Sequence, residues 1–83
     1  MNAGILEIDL HGMNCKQVKI KIDSVLRRAA KGTYTIRLIH GFHGGTRIKE
    51  MIDEEYGFGR HEKVIRIRPG ENPGVTELIL REL

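Results

Sequence analysis

Two short polar turns carry the residues with chemistry to offer. The first, Asp9-Leu10-His11-Gly12, places a carboxylate two positions before an imidazole. Histidine exchanges protons near neutral pH, and a carboxylate can orient it or hold the imidazolium, so Asp9 and His11 form a candidate acid–base pair. The second turn, His40-Gly41-Phe42-His43-Gly44-Gly45-Thr46, sets His40 and His43 in a glycine-rich segment. Glycines let backbone approach a ligand closely, and the N–H groups that open a following helix favour an anion. Gly41, Gly44, Gly45 and Thr46 therefore read as a phosphate cradle, with Gly12 facing it from the first turn if the two turns meet. The Walker lysine pattern is absent, which excludes a nucleotide triphosphatase of that kind. Plainer readings stand beside these: Asp9 capping a turn, His11 simply exposed, the glycines meeting a tight turn's need for positive φ. Three histidines can bind a metal, but no short-spaced zinc-type cluster is present, and we assign no metal ligands.

The flanking segments must position these turns. Ile5 to Leu10 alternates, with Leu6, Ile8 and Leu10 inward, as in a strand with one buried face. Asn14 is placed to cap a helix whose stripe runs Cys15, Val18, Ile22, Val25, Leu26, Ala29, and Gly32 is expected to end it. Tyr34 to Ile39 is a second strand, with Tyr34, Ile36 and Leu38 on one face and Thr35 and Arg37 on the other. After the glycine turn, Thr46 caps a second helix with Ile48, Met51, Ile52 and Tyr56 inward, closed by Gly57 and Gly59. Val64 to Arg68, with Ile65 and Ile67 against Arg66 and Arg68, and Thr76 to Arg81, with Leu78 and Leu80 inward, complete the set.

The order is βαβαββ. Helical crossovers let the strands they join run parallel, and the Pro69 to Gly74 turn suits an antiparallel hairpin. The expected fold is an α/β (α+β) two-layer sandwich, a four-stranded mixed sheet with two helices on one face, since each strand has one apolar side only. Ligands of such sheets bind beyond the carboxyl ends of parallel strands, where both turns fall. On the open face Arg37, Arg66 and Arg68, with Glu7, Glu77 and Arg81, leave a basic excess that can follow a nucleic-acid backbone or simply be solvated. The lysines and arginines of the first helix, Lys16 among them, read as its wet face, and His61 as a solvated turn residue.

Eighty-three residues suit a single domain spanning 1–83. Net charge is +3 with an isoelectric point near 9.3, a mild lean toward anionic partners. The few aromatics (Tyr34, Phe42, Tyr56, Phe58) argue against a broad base-stacking platform. The lone Cys15, placed in the core, forms no intrachain disulfide and fits a reducing compartment. With no signal-peptide pattern and no apolar run long enough to span a membrane, a cytoplasmic location is expected.

Leu6-Glu7-Ile8-Asp9-Leu10-His11-Gly12 before a helix resembles the opening motif of the Smr (small MutS-related) domain. Ile39-His40-Gly41-Phe42-His43-Gly44-Gly45 resembles that family's His-Gly-x-Gly loop, departing from it at His43. Gly74-Val75-Thr76, followed by Leu78 and Leu80, resembles its Gly-x-Thr approach to the last strand. The resemblance covers nearly the whole chain. It implies a fold like the C-terminal domain of translation initiation factor three, and it implies endonuclease work, nicking DNA or cutting RNA, with Thr76 joining the binding residues. In that reading His11 moves a proton, Asp9 orients it, His40 or His43 stabilises charge or moves a second proton, and a divalent cation, magnesium or manganese, is a possible cofactor. The partners are DNA or RNA, and no membrane. The competing readings are a non-catalytic module binding DNA, RNA or a ribosomal surface, and a small-molecule phosphate binder.

Overall fold

The computed structural model describes residues 4–41 and 46–82. The elements run β1 (Ile5–Asp9), α1 (Cys15–Arg28), β2 (Thr35–Ile39), α2 (Arg47–Tyr56), β3 (Arg66–Pro69) and β4 (Val75–Ile79). This is the expected βαβαββ order. The sheet order is β1-β2-β4-β3, with β1 parallel to β2 and β4 antiparallel to both its neighbours. The crossover through α2 thus skips a place, and the hairpin returns β4 into the gap between β2 and β3.

The core lies on one side of the sheet. Leu10, Val18, Ile22, Leu26, Ile36, Leu38, Ile52 and Leu78 are fully buried and form one cluster with Ile8 and Tyr56. Both helices contribute to it, so both cover the same sheet face. Each such aliphatic side chain contributes roughly 1.5–3 kcal/mol by leaving water. The helices are also tied to each other: the Tyr56 hydroxyl donates to Asp23 Oδ1 at 2.6 Å, and Lys19 bridges Asp23 and Glu55 at 3.1 and 3.2 Å. Burial, together with the hydrogen bond to Asp23, pushes the Tyr56 phenol far above its ordinary range.

Asn14 caps α1 as its type and place predict. Its side chain accepts the Gln17 N–H at 2.9 Å while the Gln17 side chain accepts the Asn14 N–H at 3.0 Å, a complete capping box. The other end differs from expectation. The helix stops at Arg28, short of Gly32, and Ala29 is extended. There the Lys63 ammonium donates to the Leu26 carbonyl at 2.8 Å. It supplies a partner that the last turn of a helix lacks within itself. Thr46 precedes α2 as expected but makes no side-chain capping bond.

Several residues sit differently from the pattern. Leu6 is 40% exposed because β1 is an edge strand, and Ile65 is 51% exposed because it precedes the regular part of β3, leaving Val64 and Ile67 to meet the core. Every residue of β4 is buried, including those on the face away from the helices. Central position and overlying arginine side chains close that face, so the expectation of one buried side per strand fails there. Among the described residues, no helix is long and apolar enough to cross a membrane.

Candidate functional site

Parallel pairing of β1 with β2 brings the two turns together. Asp9 stands opposite Ile39, and the Leu10 N–H donates to the Ile39 carbonyl at 2.8 Å. The His11 ring lies against Gly41, its Cδ2 3.8 Å from where a β-carbon on that glycine would sit. Gly12 and Gly41 both have positive φ, 83° and 72°, so the turns need glycine for conformation rather than for space.

The two histidines at this end have opposite surroundings. His11 is exposed. Asp9 does not grip its ring: Asp9 Oδ1 accepts the His11 backbone N–H at 2.9 Å. This Asx-type turn sets the direction in which the imidazole leaves the strand. His40 is 7% exposed and has both ring nitrogens engaged. Nδ1 lies 2.7 Å from the Gly41 carbonyl and Nε2 lies 2.8 Å from the Thr76 hydroxyl. A carbonyl only accepts, so Nδ1 carries a proton; in the neutral ring Nε2 then receives the Thr76 hydroxyl proton. The Gly74 carbonyl completes the joint by accepting the His40 and Gly41 N–H groups at 3.0 and 2.9 Å. His40, Gly41, Gly74 and Thr76 therefore lock the end of β2 to the start of β4. The proton-transfer role expected of His40 and the phosphate contact expected of the Gly41 N–H meet groups already in use.

The open-face arginines are also committed. Glu7, Arg37, Glu77 and Arg68 are register partners across β1, β2, β4 and β3 and form a row of alternating charge. Arg37 Nε meets Glu77 at 3.0 Å and its Nη1 meets Glu7 at 3.4 Å, while Arg68 Nη2 meets Glu77 at 2.8 Å. Glu77, expected to be exposed, is 7% exposed. Burial alone would raise its carboxyl pKa, but the hydrogen bonds and charges of Arg37 and Arg68 outweigh it and hold the group below its ordinary value. Arg66 pairs with Glu82 at 2.8 Å.

The cations that composition passed over lie at the helix starts. Lys16 in the first turn of α1 and Arg47 in the first turn of α2 line one open groove of about 430 Å³, shared with Asn14, Cys15 and Ile48. Cys15, expected in the core, is half-buried at the edge of this groove. Among the described residues neither Lys16 nor Arg47 has a carboxylate partner, and the first turn of α1 holds no acidic residue. Helix N-termini present free N–H groups and a partial positive charge, so the groove suits an anion. The signal for these two cations was position: each opens the helix that follows a candidate turn. A larger hollow, about 540 Å³, lies between α2 and β3, away from the exposed histidine.

Among the described residues, no three His, Cys, Asp or Glu side chains gather in an arrangement that could hold a metal ion. His43, Gly44 and Gly45, assigned above to proton transfer and phosphate binding, lie outside the described residues. His61, expected to be solvated without a partner, is half-buried and accepts the Lys63 N–H at 3.1 Å through Nδ1.

The comparisons with known proteins agree with this architecture. The sequence profile of the Smr domain matches residues 8–76, from within β1 to within β4. The crystal structure of the Smr domain of Thermus thermophilus MutS2 superposes with a TM-score of 0.77 at 30% identity, over 93% of this chain and 99% of that one. No curated protein matches. With a family profile spanning most of the sequence and a solved member of the same fold, the chain belongs to the Smr domain family.

Proposed function

We propose that this Smr domain binds nucleic acid at the strand-end groove and cleaves its phosphodiester backbone. The observation that supports the reading most directly is that an exposed imidazole, His11, stands at the same end of the sheet as the groove that Lys16 and Arg47 line at two helix starts. A phosphate in the groove meets backbone N–H groups and two cations, a favourable setting for charge that grows on the phosphoryl oxygens during attack. The attacking oxygen, from water or from a neighbouring hydroxyl, forms the new bond to phosphorus and gives up its proton to solvent water. The P–O ester bond breaks, and the His11 imidazolium supplies the proton that the leaving oxygen takes up. Asp9 acts as a positioning residue through the turn it closes. His40 and Thr76 hold the floor of the site and transfer no proton.

The test is cleavage of supercoiled plasmid and of single-stranded RNA, with and without magnesium or manganese, by wild type and variants. His11→Ala is expected to lose at least about 100-fold in rate with folding intact. Asp9→Asn, which can still accept the His11 N–H, should retain most activity, whereas Asp9→Ala should not. Full activity in His11→Ala would overturn the assignment.

A second reading, a binding module without catalysis, is favoured by one feature: Asp9 spends its hydrogen bond on backbone, and the His11 ring lacks a carboxylate partner among the described residues. Saturable, salt-dependent binding with no cleavage of either substrate would decide for it.

A further inference from the structure

Phe58 sits in the turn after α2 with φ of 56° and is 88% exposed. A bulky side chain in the left-handed region is rare, and here no packing requires it. Backbone held against its preference at an exposed aromatic points to a use for the ring. The Arg60 guanidinium lies 5.7 Å from the ring centroid, with its Nη1 held by the Glu54 carbonyl at 2.6 Å. One aspect of the ring therefore carries a fixed cation while most of its surface stays open. Phe58 also borders the hollow of about 540 Å³ between α2 and the edge strand β3, where exposed Ile65 and half-buried Ile67 give apolar walls and Lys49 and Arg66 give a cationic rim. The ion pairs of those two cations, with Asp53 and Glu82, are exposed and easily exchanged for another anion. Thr76, bonded to His40, lines the same hollow.

We infer that Phe58 stacks one unpaired nucleobase, with the bordering hollow taking its sugar and the cationic rim its phosphate. This rests on the nucleic-acid reading above and names the substrate class: a strand with at least one base out of a duplex. A flat π-surface beside a guanidinium, in a cationic setting, fits a base carried on a phosphate chain better than an aliphatic or acidic-peptide partner. Helix α2, with 10 residues, sets the distance. At roughly 1.5 Å per residue the stacked base lies about 15 Å from the helix start.

The test uses 12-nucleotide single-stranded DNA and RNA oligonucleotides carrying 2-aminopurine at successive positions, read by anisotropy and by quenching of the analogue. Wild type should quench it within a short run of positions. Phe58→Ala should abolish that quenching and weaken binding about 5- to 20-fold with the salt slope unchanged, and Phe58→Trp should restore both. If wild type binds neither oligonucleotide at low salt, the nucleic-acid reading fails and this inference with it. If wild type binds with steep salt dependence but Phe58→Ala binds and quenches equally, the stacking assignment alone fails. Loss of self-association in Phe58→Ala, with quenching intact, would make the ring a contact between copies and likewise overturn it.

Discussion

On the open face of the sheet Arg37 and Arg68 both meet the buried Glu77 carboxylate, while at the strand ends Lys16 and Arg47 meet no carboxylate among the described residues. The two regions carry similar charge by composition and differ in what that charge is free to do. Across the sheet, register puts Glu77 between two guanidiniums, and the row serves to close the outer side of β4. At the strand ends the parallel crossovers leave two helix starts side by side, with cations facing solvent. An arginine count alone is therefore a poor guide to where an anion could bind, because a cation already satisfied by a buried carboxylate must break that bond before it can hold a phosphate.

The comparison can be broken in three ways. Thr76→Val keeps the shape of the joint between β2 and β4 but leaves His40 Nε2 buried without its partner. An unsatisfied buried acceptor of this kind should cost about 2 kcal/mol in urea unfolding. A loss under about 0.5 kcal/mol, the size of an ordinary surface substitution, would show that the joint does not hold the strand ends together.

Glu77→Gln should cost somewhat less at neutral pH, because Arg37 and Arg68 are partly exposed and can regain water. A loss of about 1.5 kcal/mol is expected, at the low end for hydrogen bonds to charged groups. The Glu77 pKa is lowered by folding from its ordinary 4.5, so its contribution is full above that value and drains as pH falls through the lower folded value. The variant should therefore converge on wild type in acid. A gap that is as wide at pH 3 as at pH 7 would show that Glu77 contributes through packing alone.

The smallest effects concern binding. Lys16→Ala or Arg47→Ala should each weaken affinity about fivefold and lower the salt slope by about 0.7 to 0.9, depending on strandedness, whereas Arg37→Ala should leave the slope unchanged. A reversed result would move the anion site to the open sheet face.

Much of the fold was legible because its signals are local. The α1 capping box needs only Asn14 and Gln17, three positions apart. The stripe Val18, Ile22, Val25, Leu26 and the alternation of Ile36 and Leu38 show which side meets the core. Both turns were visible as polar, glycine-bearing stops between periodic segments. Their meeting followed once β1 and β2 were taken as parallel neighbours.

What the chain determined by itself, then, was the kind and order of its elements and the position of His11 at a strand end, since periodicity and turn chemistry act within a few residues. Tertiary structure decided the rest. The return of β4 between β2 and β3 is a choice of pairing partner, and from it come the burial of Glu77 and the bond from Thr76 to His40, 36 residues away in sequence. Those contacts make His40 a buried residue that joins strands, while His11 stays exposed. Each depends on which strands become neighbours, and pairing energy is set by long-range contacts that local sequence does not encode.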